Sequence, residues 1–328
     1  MKFFYLFTLL LLNVANGFYI PIANSLSITR VAKSIELADA TVVLARNSKG
    51  CPVAFHDYCP HRGASLDKVT LGKDDSISCK YHGFVYNTQD GNLESGLGVT
   101  KGCGKLKIVE CLEQNGLIWV CVDEDDSIKP PPELKEASDK NFRKISGNVI
   151  IKCPVEQLIE NILDQIHINQ VHSFGNMESE PLNYKASKVS ETRGIATFQY
   201  NTGKTSLFNG VADVKNWYEI PCTAATSVTS GKNVKIVQVH AVQKPGGFTK
   251  VFWELYRNWS TEHYMDAFFE MAMKITLNED AEILEKCNFE KGDKFHGKYD
   301  KLQLLYRRSL KDNNPFCQDN VQKNPGFK

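Results

Sequence analysis

The chain has 328 residues, enough for one large or two medium domains around a sizeable core. Its 39 lysines and arginines nearly balance 38 aspartates and glutamates, and no basic run appears, so nothing supports a nucleic-acid partner. Ten cysteines in a chain of this length do not make a short disulfide scaffold.

At the N-terminus, Lys2 precedes an apolar run over residues 3–12 and then Asn13-Val14-Ala15-Asn16-Gly17, the layout of a signal peptide over residues 1–17. The run is short for a membrane span. Residues 18–34 are rich in hydroxyls with no acid before Glu36, a composition that suits a possible transit segment. The pair resembles the two-part leader of plastids of secondary, red-type origin; an uncleaved endoplasmic-reticulum anchor is the alternative.

From residue 35 the pattern changes to short β-branched runs. Residues 41–46 and 52–55, joined by Asn47-Ser48-Lys49-Gly50, read as a hairpin, with further strands at 84–86, 107–110 and 116–120. Residues 96–102 miss the register of a dinucleotide loop and read as a turn. The hairpin leads into Cys59-Pro60-His61-Arg62-Gly63-Ala64, answered by Cys79-Lys80-Tyr81-His82-Gly83-Phe84. Two thiolates and two imidazoles also make a tetrahedral zinc set, so the count alone decides little. Two tight loops, each giving one sulfur and one nitrogen, suit a two-iron cluster with both thiolates on one iron and both imidazoles on the other. Gly63 and Gly83 then stand where backbone approaches inorganic sulfide. Cys51, Cys103, Cys111, Cys121, Cys153, Cys222, Cys287 and Cys317 form no CxxC pair and read mostly as buried free thiols.

Asp123-Glu124-Asp125-Asp126 and Lys129-Pro130-Pro131-Pro132 place a Pro-rich linker at 128–140, between a first domain at 35–127 and a second at 141–310, with a tail at 311–328. After a strand near Val149-Ile150-Ile151, Pro154 suits a first helical position. Val155, Leu158, Ile159, Ile162, Leu163 and Ile166 form one buried stripe, with Glu160, Asp164 and His167 roughly opposite. His167 and His172 are five residues apart, so an ideal helix would separate them by about 140°. They share a metal only if the helix ends or widens between them. Residues 182–258 are strand-like, with runs at 195–200, 235–240 and 250–256, and suggest an antiparallel sheet able to hold a cavity. His240 reads as an ordinary strand residue. A long helix over 262–287 carries Phe269, Ala272, Met273, Leu277, Ile283 and Leu284 on its apolar stripe. Asp280 lies at the centre of that stripe, where an unpaired carboxylate would cost several kcal/mol, and is the natural third ligand beside the two histidines.

CPHRGASL, CKYHGF and D-x-x-H-x-x-x-x-H, in that order, resemble the Rieske non-haem iron oxygenases of the vanillate O-demethylase, phthalate oxygenase and pheophorbide a oxygenase type. Phe84 replaces their usual Trp. Ala64 and Tyr81 stand where high-potential Rieske proteins carry extra cysteines, so the resemblance implies a low-potential cluster. It implies an α+β chain: an N-terminal all-β Rieske [2Fe–2S] domain, then a helix-grip (START-like) catalytic domain with an antiparallel sheet. Cys59, His61, Cys79 and His82 would hold the cluster, and His167, His172 and Asp280 a mononuclear Fe(II). The implied activity is a monooxygenase that uses O₂ to hydroxylate, demethylate or desaturate a small organic substrate. No flavin, nicotinamide or Walker motif appears, so a ferredoxin or a flavin reductase would donate electrons. The family further implies a homotrimer in which the catalytic residue Asp164 bridges to His82 of a neighbour. One helical turn before His167, the Asp164 carboxylate can also accept from the free ring nitrogen of that histidine. The competing reading is a non-catalytic Rieske electron carrier with a vestigial second site.

Overall fold

The computed structural model describes residues 18–38, 40–98, 104–121, 130–173, 180–201, 210–289, 291–292 and 296–313. These fall into two compact units divided between Pro131 and Pro132, with the Lys244–Gly246 turn grouped with the first. The signal-peptide reading of residues 1–17 lies outside the described residues, as do Cys103 and Cys317.

The first unit is all β. Strands β1 (Tyr19–Asn24), β2 (Lys33–Glu36), β3 (Thr41–Arg46), β4 (Pro52–His56), β5 (Ser76–Ser78), β6 (Val85–Asn87), β7 (Leu93–Ser95), β8 (Ile108–Val109), β9 (Cys111–Gln114) and β10 (Leu117–Cys121) form three small sheets. Their orders are β1-β10-β9, β2-β3-β4-β8 and β5-β6-β7. The β3–β4 hairpin forms as its sequence predicts. Asn47 Oδ1 accepts from the backbone N–H of Lys49 and Cys51, and Gly50 takes the positive φ that closes the turn.

Residues 18–34 are folded, which corrects the transit-segment reading. Tyr19 pairs with Cys121 and Asn24 with Leu117, and Phe18, Ile20 and Ile22 are buried. A segment removed after import cannot also close this sheet. Composition failed here because the partner strand lies about a hundred residues downstream, and hydroxyl-rich strands look like leaders.

The second unit is α+β. It holds β11 (Arg143–Ile151), α1 (Val155–Leu163), α2 (His167–Val171), β12 (Leu182–Ser190), β13 (Arg193–Asn201), β14 (Val211–Glu219), β15 (Thr223–Ser230), β16 (Asn233–Lys244), β17 (Phe248–Arg257), α3 (Asp266–Leu284) and α4 (Lys301–Asp312). The strands make one antiparallel sheet in the order β11-β17-β16-β15-β14-β13-β12. Alternation gives it two faces. Tyr218 marks the helix-covered face, meeting Ser309 of α4 at 2.8 Å and the Tyr306 ring at 5.3 Å. Trp217, Ala225, Ile236 and Tyr256 mark the other, packed under Leu134, Ala137 and Phe142. Residues 132–142 are therefore part of this unit's core. The three prolines extend the chain locally, but the apolar residues after them decide where it goes. His240 is buried on that same face, held by Thr223 Oγ1 at 2.9 Å.

Arg257, fully buried, fixes the start of α3. It donates to Asp266 at 2.6 Å and lies 4.2 Å from the Phe269 ring centre, while Arg143 reaches the same carboxylate. These guanidinium hydrogen bonds hold the Asp266 carboxyl at about 2, below the usual carboxylate range. Phe269, Met273, Leu277, Asp280 and Leu284 form the buried stripe of α3, but Ile283 is 49% exposed and does not belong to it.

Candidate metal centres

The first centre is built from two backbone copies of one turn. In the first loop the Cys59 N–H donates to Ala64 O at 2.7 Å and the Gly63 N–H to Cys59 O at 2.8 Å. In the second, the Cys79 N–H donates to Phe84 O at 2.8 Å and the Gly83 N–H to Cys79 O at 2.9 Å. The sequence spacings differ only in where the histidine falls within a common five-residue loop. Gly63 and Gly83 have φ of 73° and 71°, and a Cβ at either meets no protein atom within 4 Å. The left-handed backbone, rather than crowding within the protein, is what requires glycine.

Burial separates the two donor types. Cys59 and Cys79 are each 2% exposed and belong to a core with Val43, Phe55, Leu66, Ile77 and Tyr86. The Tyr86 hydroxyl lies 3.6 Å from Cys59 Sγ. His61 and His82 are exposed, with ring centres 4.6 Å apart and nearly perpendicular. Phe84 lies 4.6 Å from the His61 ring and Tyr81 stacks 3.8 Å from His82. Burial raises the Cys79 thiol, as does neighbouring Cys59. Partial desolvation, then the charges of His82 and Arg62, lower His61. Sulfurs inside and imidazoles at the rim are the donor arrangement that an asymmetric S₂N₂ two-iron cluster takes.

The second centre depends on a break in the helix. α1 stops at Leu163, Asp164 turns extended (φ −76°, ψ 130°), and α2 begins at His167. Pro154 caps α1 rather than starting it. His172 follows the last residue of α2 in extended conformation (φ −86°, ψ 137°). The five-residue spacing thus closes by early termination, with no widened turn. His167, His172 and Asp280 offer ligand atoms that all lie within 4.8 Å of one another. Asp280 Oδ1 is 3.4 Å from His167 Nε2 and 3.5 Å from His172 Nε2.

Neighbouring groups set the tautomers. His172 Nδ1–H donates to Glu279 Oε2 at 2.9 Å, and His167 Nδ1–H donates to the backbone carbonyl of Asp164 at 3.0 Å. Both acceptors lack protons, so each ring turns its Nε2 towards Asp280. Asn161 Nδ2 donates to Asp280 Oδ1 at 3.0 Å. Burial pushes the Asp280 carboxyl up, but its histidine and Asn161 partners outweigh it and hold it below the usual range. His167 rises despite burial because of Asp280 and Asp164, whereas burial keeps His172 low.

Asp164 differs from expectation. Its carboxylate caps α2, accepting from Ile166 N at 2.7 Å and His167 N at 3.4 Å, so the imidazole is left to its backbone oxygen. Glu160 is equally unlike a solvated residue: it is buried and holds Arg307 through two bonds of 2.5 and 2.6 Å. Sequence reasoning missed Glu279 as a partner of the site; the available signal was a carboxylate adjacent to Asp280.

The Rieske [2Fe–2S] domain family matches residues 19–111, and the vanillate O-demethylase oxygenase C-terminal domain family matches residues 151–312. Chlorophyllide a oxygenase of Arabidopsis thaliana is 29% identical over 160 residues, 48% of this chain and 29% of that protein. The vanillate O-demethylase oxygenase subunit of a Pseudomonas species is 28% identical over 147 residues, 44% of this chain and 41% of that protein. The matched stretches thus span less than half the length of these relatives. The solved structure of Pseudomonas putida CBB5 NdmA with caffeine superposes with a TM-score of 0.75 at 20% identity, over 92% of this chain and 90% of that one, a likeness of fold. Fold and paired centres define a Rieske-type iron–sulfur protein with an oxygenase domain behind it. The chain belongs to the Rieske non-haem iron oxygenases.

Proposed function

We propose that this chain is an oxygenase that uses O₂ and externally supplied electrons to hydroxylate, demethylate or desaturate a small organic substrate. The observation that carries the reading is the convergence of His167, His172 and Asp280 in a chain that also presents two matched Cys/His turns. Cys59, His61, Cys79 and His82 would hold the [2Fe–2S] cluster, and the three convergent residues a mononuclear iron with open positions. When bound, the cluster supplies one-electron transfer and the iron supplies reductive activation of O₂. The residues around them supply orientation. Glu279 and the Asp164 carbonyl fix the two rings, and Asn161 fixes the Asp280 oxygen that the rings share. Iron counting tests the proposal. Three irons per chain with substrate-dependent O₂ uptake are expected, and two irons without uptake would leave only an electron carrier.

For partners, the reading takes a ferredoxin or flavin reductase as donor and a homotrimer as the working assembly. The trimer rests on the family resemblance, with Asp164 lining an open recess of about 600 Å³ that also holds Glu160 paired to Arg307. Asp164→Asn keeps a capping oxygen and leaves the His167 contact with the backbone intact. It should therefore retain iron and assembly yet slow single-turnover reoxidation of the reduced cluster. Wild-type reoxidation, or an active monomer, would refute the intersubunit route.

For location we propose a plastid, because relatives such as the Arabidopsis enzyme are named chloroplastic. No described helix is long and apolar enough to cross a membrane. Imaging of a C-terminally tagged chain decides between plastid and endoplasmic reticulum.

A further inference from the structure

Helix α4 supplies no metal ligand, yet it reaches the mononuclear centre through α1. Hydrogen bonds fix it to the sheet and to the turns beside it. The Tyr306 hydroxyl donates to Pro221 O at 2.9 Å, and the Tyr218 and Ser309 hydroxyls share a bond of 2.8 Å. Just past the helix end, Asn313 Nδ2 donates to Glu191 O at 3.2 Å. From this anchored helix Arg307 grips Glu160 of α1, Nε to Oε1 at 2.5 Å and Nη2 to Oε2 at 2.6 Å. A two-point guanidinium–carboxylate pair fixes direction as well as distance. Glu160 is 9% exposed, so water competes little for it.

The last turn of α1 is where that grip matters. Asn161 follows Glu160 about 100° round the helix and donates from Nδ2 to Asp280 Oδ1 at 3.0 Å. The Asn161 carbonyl accepts from the Asp164 N–H at 3.1 Å, which closes the helix. There the Asp164 carbonyl takes His167 Nδ1–H at 3.0 Å. One ion pair thus stands behind contacts to two of the three convergent residues. The start of α1 is held separately, by Gln243 Oε1 accepting from the Val155 N–H at 2.9 Å. Along the helix Leu158, Ile159 and Leu163 are fully buried. Apolar burial is non-directional, however, and leaves rotation about the helix axis loosely set.

We propose that Arg307 and Glu160 are positioning residues for the mononuclear iron. By setting the rotation of α1, they hold Asn161 against Asp280 and the Asp164 carbonyl against His167, so that these two ligands converge before the metal arrives. His172 is served separately, by Glu279 of α3. The assignment rests on the oxygenase reading and adds to it a helix that lies outside the ligand motifs. Both residues act through α1.

Chelator competition for the mononuclear iron, with iron analysis and cluster absorption on the same samples, tests the assignment. Glu160→Met combined with Arg307→Met replaces the pair by apolar side chains of similar length, a change that buried ion pairs often tolerate without loss of stability. The double variant should keep the wild-type Tm and cluster, yet bind the iron about tenfold more weakly. Arg307→Lys keeps the charge but loses the fork, so it should fall between, and it carries the test should the double variant fold poorly. Tyr306→Phe removes an anchor of α4 and leaves the pair in place; it should lower Tm without changing iron affinity. Nitric oxide bound at the ferrous site supplies a readout of ligand arrangement. Its paramagnetic resonance should change in the double variant and stay as in wild type in Tyr306→Phe. Wild-type affinity in the double variant, or affinity that tracks Tm through all three variants, overturns the assignment. A wild-type chain that binds only the two irons of the cluster sinks the oxygenase reading, and this assignment with it.

Discussion

Removing the carboxylate of Glu279 tests the mononuclear centre without touching a ligand. Glu279 Oε2 takes His172 Nδ1–H at 2.9 Å, and Oε1 takes the Ser173 N–H at 3.3 Å, so one side chain fixes both ring and backbone just past α2. A hydrogen bond to a charged acceptor contributes about 1.5–3 kcal/mol. Loss of such an outer partner typically lowers metal affinity about 10–100-fold, or about 1.4–2.7 kcal/mol. The Glu279 side chain is 24% exposed, so water replaces part of the lost contact and the lower end applies. We expect Glu279→Ala to bind the mononuclear iron about tenfold more weakly. Glu279→Gln, which keeps an acceptor but not the charge, should fall between. The assay is chelator competition followed by iron analysis, with visible absorption of the [2Fe–2S] cluster as internal control. Wild-type retention in Glu279→Ala would falsify the claim that this contact orients His172. Simultaneous bleaching of the cluster would show that the fold, and not one ligand, had been disturbed.

Three further outcomes follow from the geometry. Burial, then the nearby charge of Lys144, lowers His240 from 6.5 to about 3, so it stays neutral in the fold and protonates first in the unfolded chain. Its contribution is present above pH 6.5 and is lost as pH falls towards 3, so wild type should lose about 2 kcal/mol more than His240→Gln between pH 7 and pH 5 in denaturant titrations. Equal losses would refute the sign. Replacing His61 or His82 by cysteine should move the visible spectrum towards an all-thiolate ferredoxin and lower the potential, and an unchanged spectrum would remove that histidine from the cluster. A Cβ at Gly194 would stand 2.5 Å from the Tyr218 ring, which Ser309 and Tyr306 hold in place. Gly194→Ala should therefore cost about 1–3 kcal/mol in thermal unfolding, and an unaltered Tm would show that the ring gives way.

Local pattern made much of the fold legible. The β3–β4 hairpin, β10, β13, β16, β17 and α3 all lie where alternation or a helical stripe places them. What stayed hidden depended on distant partners. Nothing in Tyr19-Ile20-Pro21-Ile22 announces pairing with Cys121, Val120 and Trp119. Nothing near the three prolines says that Leu134 and Phe142 will pack on Trp217 and Ile236. β12 and β14 escaped individual reading because exposed Lys185, Lys188, Asp213 and Lys215 interrupt the apolar runs that mark buried strands.

The candidate site divides along a different line. Asp280 was legible because a carboxylate amid Met273, Leu277 and Leu284 contradicts its own helix face, and a break beside His167 because two histidines five apart cannot converge on a regular helix. Both inferences use what a side chain costs in the wrong place. The contacts that orient the rings impose no such contradiction. Glu279 sits at the edge of the stripe, where a carboxylate is unremarkable until His172 is seen to lie against it. His167 takes a main-chain carbonyl, and every residue type at position 164 would offer one. What is special about Asp164 is its φ and ψ, fixed by the end of α1 and by its own carboxylate capping α2. Substituting that cap should therefore disturb His167 through the backbone before any loss of charge is felt, and asparagine, which caps as well, is the variant that separates the two effects.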